Sequence, residues 1–73
     1  MKEHKYVRQA KLIEMLHENH ITQREFAAEL GIKLDAISAK LHGRRQFSLQ
    51  EAFRVADIFG KSVEEIFAKE ETA

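Results

Sequence analysis

Apolar residues recur along the chain at helical spacing, three or four apart, with charged residues between them. Val7, Ala10, Leu12, Ile13 and Leu16 predict a first helix over residues 5–18, ended by Asn19 and His20. Phe26, Ala27 and Leu30 predict a two-turn second helix over 23–30, and Ile37 with Leu41 a third over 34–42. Leu49, Phe53 and Ala56, joined by Val55 or Phe59, predict a fourth over 49–59 with those residues buried. Val63, Ile66 and Phe67 predict a fifth over 63–68, and residues 70–73 are expected to fray. Phe26, Phe47, Phe53, Phe59 and Phe67 are all read as core, not as a stacking platform for single-stranded bases.

The boundaries carry their own chemistry. Thr22-Gln23-Arg24-Glu25, Ser48-Leu49-Gln50-Glu51 and Ser62-Val63-Glu64-Glu65 each match the capping box, in which a hydroxyl accepts from the N3 amide and the glutamate accepts from the cap. Gly31, Gly43 and Gly60 stand where helices end, and glycine tolerates the left-handed conformation such ends require. The pattern specifies an all-α fold, a compact five-helix bundle in one domain over residues 1–73.

Composition narrows the function classes. A chain of 73 residues with no cysteine has neither a disulfide nor a thiolate metal site to support its core, and net stability at this size is roughly 3–5 kcal/mol. Twelve bases balance twelve acids, so no global charge points to a polyanion. Their distribution is uneven. Residues 1–11 hold four bases against one acid, residues 22–45 five against three, and residues 46–73 three against six. No apolar run approaches the roughly 20 residues of a membrane span, and the start lacks the apolar stretch of a signal peptide. A cytoplasmic protein without membrane contact is expected.

The segment from Ile21 to Arg45 joins a capped short helix, a glycine turn, a second short helix and a basic loop, the order of a helix-turn-helix over about residues 22–43. Such a pair crosses steeply, which calls for a small residue at the contact, glycine in the turn and a branched apolar residue after it. Ala27, Gly31 and Ile32 occupy those places. The run Thr22-Gln23-x-x-Phe26-Ala27-x-x-Leu30-Gly31-Ile32 continues with Ile37-Ser38-x-x-Leu41-x-Gly43-Arg44, then Phe59-Gly60 and Glu65-Ile66-Phe67. It resembles the phage repressor/Cro-like (Xre-type) helix-turn-helix family, particularly its short prophage regulators, over about residues 14–67.

That resemblance implies a lambda-repressor-like domain whose third helix enters the major groove of double-stranded DNA. By the same resemblance Thr22 and Gln23 set the second helix over a phosphate, with Arg24 adding charge beside them. Lys33, Leu34, Asp35, Ser38 and Ala39 form the base-reading face, and Arg44, Arg45 and Gln46, joined by Lys40, follow the DNA backbone. Relatives usually carry Ser, Arg, Gln or Asn where this chain has Leu34 and Ala39. Those two suit thymine methyls, and Asp35 suits a cytosine amino group. Lys33 stands where a hydroxyl cap is customary, leaving the third helix without a side-chain cap. The implied function is operator occupancy by a sequence-specific transcriptional regulator of prophage or bacterial origin. It needs no cofactor, metal or small-molecule substrate, and acts as a homodimer on inverted half-sites, paired through apolar residues near 59–67.

Blander readings stand beside these. Thr22-Gln23 also serves as a plain cap, Arg44-Arg45 as a solvated loop, and the Leu34/Ala39 face as a protein contact. The last of these defines the alternative function, a protein-interaction module of antitoxin or antirepressor kind on the same scaffold. His17 and His20 are three apart, not the four that a helical zinc pair needs, and Ser38 with His42 lacks an orienting acid. Neither a metal site nor an enzyme is expected.

Overall fold

A computed structural model describes residues 6–67. They form five helices: α1 (Ala10–Glu18), α2 (Gln23–Leu30), α3 (Leu34–Leu41), α4 (Leu49–Phe59) and α5 (Val63–Phe67). All three capping boxes form. At α2, Glu25 N donates to Thr22 Oγ1 at 3.0 Å while Thr22 N donates to Glu25 Oε1 at 2.9 Å. The same reciprocal pair joins Ser48 to Glu51 and Ser62 to Glu65. The α3 start at Lys33 has no side-chain cap, as expected.

One core collects the inward faces. Leu12, Phe26, Ile37, Leu41 and Val55 are fully buried, with Leu16, Ala27, Leu30 and Ile66 around them. Helix α2 packs on α3, α1 on α3 and α5, and α4 on α2 and α5. Gly31 adopts φ +72°, and Ile32 N reaches back to the Ala27 carbonyl at 3.0 Å, closing the turn between α2 and α3.

The first helix is shorter than its apolar pattern predicts. Residues 6–9 are not helical but form a strap laid against the end of α3. Tyr6 N donates to the Gly43 carbonyl at 2.9 Å and Gln9 N to the Leu41 carbonyl at 2.8 Å. The last carbonyls of a helix lack intrahelical partners, and the strap supplies them at the cost of a turn of α1. Val7, counted in the apolar pattern of the first helix, is therefore 58% exposed. Gly43 is buried at φ +86°, and a Cβ there would stand 2.5 Å from the Tyr6 carbonyl oxygen, so this contact admits only glycine. The expected start at residue 5, the end of the fifth helix at 68 and the fraying of 70–73 lie outside the described residues.

The fourth helix is rotated from its predicted setting. Ala52, Val55 and Ala56 face the core, whereas Leu49 and Phe53 are 69% and 55% exposed. Glu51 is drawn toward α3 by Lys40 Nζ at 2.6 Å. Each residue turns a helix by about 100°, so Phe53, two positions on, lands on the far side while Ala52 and Val55 come inward. Of the remaining phenylalanines, Phe26 is core and the other three are half-buried. Phe26 packs on Phe59 at 6.3 Å and Phe47 on Phe67 edge-to-face at 5.4 Å.

Two substitutions separate the observed core from the predicted one. Phe26→Ala removes a fully buried ring at about 3–5 kcal/mol, comparable with the whole stability of such a chain. Phe53→Ser stays within about 0.5 kcal/mol. Urea titration followed by circular dichroism reads both, and equal losses would overturn the placement of α4.

Candidate nucleic-acid interface

The interface begins with what the core leaves outside. Ile37 and Leu41 point inward from α3, which turns Leu34, Asp35 and Ser38 outward. Gln23, Arg24, Leu34, Asp35, Ser38 and Arg44 line one open depression between the start of α2, the outer face of α3 and the loop after it. Six of the twelve residues expected to touch DNA thus surround a single concavity. Leu34 is 40% exposed there, an apolar side chain that the core does not require. Thr22, Lys33, Arg45 and Gln46 are exposed but not in its wall, and Ala39 is half-buried. The Ala39 carbonyl accepts from the amides of Arg44 at 2.9 Å and Arg45 at 3.3 Å, which fixes the path of the basic loop.

Lys40 departs from expectation. It is buried, its ammonium donates to Glu51 Oε1, and it lies 5.9 Å from the Phe47 ring centroid. A side chain held this way ties α3 to α4 and is not presented along an outer surface. Burial pushes the Glu51 carboxyl up, but the Lys40 hydrogen bond, the Ser48 amide and the Lys40 charge outweigh it and hold the group below its ordinary 4.5.

Lys11 donates to the Glu65 carbonyl at 2.7 Å, Arg54 to the Glu29 carbonyl at 3.2 Å, and Lys40 to Glu51. Arg24 and Arg44 on the depression, and Arg45 beside it, have no such acceptor among the described residues. The helix start adds donors, since the capping box occupies the Glu25 amide and the first-turn amides of Gln23 and Arg24 have no intrahelical acceptor. Lys11, Lys40 and Arg54 thus tie elements of the fold together, while Arg24, Arg44 and Arg45 have no acceptor among the described residues.

Two other sequence constellations resolve differently. His42 Nδ1 lies 2.9 Å from the Ser38 carbonyl oxygen, which only accepts, so that nitrogen carries the proton and is engaged with backbone, not with the Ser38 hydroxyl. Among the described residues no three His, Cys, Asp or Glu side chains cluster as metal ligands. Nor is any described helix long and apolar enough to cross a membrane.

A short capped helix and an outward-facing partner across a glycine turn, set in five helices, define the class of helix-turn-helix transcriptional regulators. The helix-turn-helix family model matches residues 12–66, and the chain belongs to this family, in its Xre/Cro-like form. It is 36% identical over 53 residues to an uncharacterized HTH-type transcriptional regulator of Methanocaldococcus jannaschii, a match covering 73% of this chain and 80% of that one. A crystal structure of a transcriptional regulator from Listeria innocua shares the fold with a TM-score of 0.81 at 14% identity, over 94% of this chain. The chain spans 64% of the length of that protein.

The Lys40–Glu51 bond makes a pH prediction. Glu51 has its pKa depressed by folding, so its contribution is fully present above about pH 4.5 and is lost as pH falls through the lower folded value. Glu51→Gln is expected to flatten that acid limb and to cost on the order of 1 kcal/mol at pH 7, given the partial exposure of the carboxylate. Urea midpoints from pH 3 to 7 test this, and an unchanged acid limb in the variant would refute it.

Proposed function

We propose that the chain is a sequence-specific double-stranded DNA-binding regulator of the Cro/repressor kind, acting by occupying an operator. The observation that carries this reading is the single depression shared by Gln23, Arg24, Leu34, Asp35, Ser38 and Arg44, with free cations at its edge. In this reading α3 enters the major groove. The first-turn amides of Gln23 and Arg24 and the positive end of α2 meet a phosphate, and Arg44, Arg45 and Gln46 meet the backbone beyond the groove. These contacts fix register and orientation. Discrimination falls to Leu34, Ala39, Asp35, Ser38 and Lys33: methyl contacts to thymine, a carboxylate accepting from cytosine N4, and flexible donors beside them. Lys40 acts indirectly, by holding α3 against α4.

Eight residues of one short helix read few base pairs, so useful specificity calls for two copies on inverted half-sites. The apolar surface expected for that pairing is largely occupied, because Phe59 and Phe67 pack on Phe26 and Phe47. Two exposed apolar side chains, Leu49 and Phe53, lie instead one turn apart on α4.

Titration with labelled duplex of random sequence and of sequence flanking the gene, at low and moderate salt, tests the reading through backbone amide shifts. Salt-sensitive binding that moves Gln23, Leu34, Asp35 and Arg44 is expected. Absence of binding at low salt would replace this function with a protein-binding one at the same face. Arg44→Ala is expected to weaken all duplexes alike and to lower the salt slope by about 1. Leu34→Ala is expected to change the order of preferred sequences. Like behaviour of the two variants would overturn the division between positioning and reading residues.

A further inference from the structure

The strap before α1 brings one base to the interface that its place in the sequence did not reveal. Arg8 is exposed and without an acceptor among the described residues. Its backbone lies against Gly43, where a Cβ would come within 3.1 Å of the Arg8 amide nitrogen. Arg44 and Arg45 follow Gly43 directly, so the backbone of Arg8, more than thirty residues earlier in the sequence, lies where that arginine pair begins at the end of α3. Arg8 also lines a second depression, together with Gln23, His17 and Glu14. Gln23 belongs to both depressions, so the two adjoin at the start of α2.

Resting on the DNA-binding reading above, we propose that Arg8 is a further phosphate-contacting residue, placed beside Arg44 and Arg45 by the strap's backbone pairing with Gly43. A guanidinium without an acceptor among the described residues remains available for a phosphate. Its backbone is fixed at both sides, through Tyr6 and Gln9, to the end of the helix that would enter the groove. Less chain entropy is then lost on contact than for a base in a free terminal segment. Glu14 and His17, the other titratable groups of that depression, lie on α1, one of them opposing a polyanion when ionised. Arg8 offsets that acid at the point where the phosphate track would pass.

The test is the salt dependence of duplex binding by the full chain and by Arg8→Ala and Arg8→Lys. Each phosphate contact contributes a slope of about 0.9 in log affinity against log salt. Between 50 and 200 mM salt the wild-type chain is therefore expected to lose about 3.5-fold more affinity than Arg8→Ala, on every duplex alike. Arg8→Lys is expected to keep the wild-type slope, and the urea midpoints of all three to coincide. A wild-type slope in Arg8→Ala would overturn this inference while leaving the DNA-binding reading in place. A wild-type chain that binds no duplex at low salt would overturn both.

Discussion

The crossing of α2 and α3 is the constraint on which the rest of the molecule depends. Gly31 takes the left-handed conformation that lets the chain reverse at once, and Ala27, nearly fully buried, lets the two helices approach. Once the angle is set, Ile37 and Leu41 have one direction in which to be buried, and Leu34, Asp35 and Ser38 are turned away together. The missing cap at Lys33 leaves about 1 kcal/mol unclaimed, whereas each buried aliphatic of α3 is worth about 1.5–3 kcal/mol. Packing wins by that margin, so α3 forms without the local signal that usually starts a helix.

A second constraint distributes the charges. One oxygen of Glu51 accepts from both the Ser48 amide and the Lys40 ammonium, so the residue that caps α4 also fixes its rotation against α3. With Lys40, Lys11 and Arg54 engaged in such contacts, Arg24 and Arg44 at the depression and Arg45 beside it are left without acceptors among the described residues. A chain with zero formal charge can thus present a basic face, because the balancing acids are grouped in the later helices.

Much of this was legible in the sequence because it rests on local rules. Capping boxes and glycine ends depend on residues no more than three or four apart, and the observed bounds of α2 and α4 follow them directly. What escaped depends on contacts between distant segments. Val7 reads as a helix face until Gly43 and Leu41 offer carbonyls to the strap, and Phe53 reads as core until Lys40 turns Glu51 inward. Lys40 itself looks like an outer base on a basic helix. Only the presence of Glu51 eleven residues later, on another helix, makes it an internal one. The six residues around the depression were recoverable through the family spacing. Arg8 was not, since nothing local marks a strap that takes its hydrogen bonds from the end of α3.

The residues of the depression also imply a separation of affinity from discrimination. Leu34 and Asp35 offer methyl contact and an acceptor, not the bidentate donors that give purines most of their readout. Apolar contacts of this size distinguish bases weakly, and a carboxylate near a duplex opposes the phosphates. Under the proposed function, binding strength must then come from elsewhere, chiefly from cations that do not sense sequence. Arg24, Arg44 and Arg45, without acceptors among the described residues, meet that need, and because they are different side chains from the readers one property can change without the other. A regulator built this way depends on salt for occupancy and on pairing two weak readers for specificity. The backbone that holds those arginines in place therefore matters as much as the side chains that face the bases.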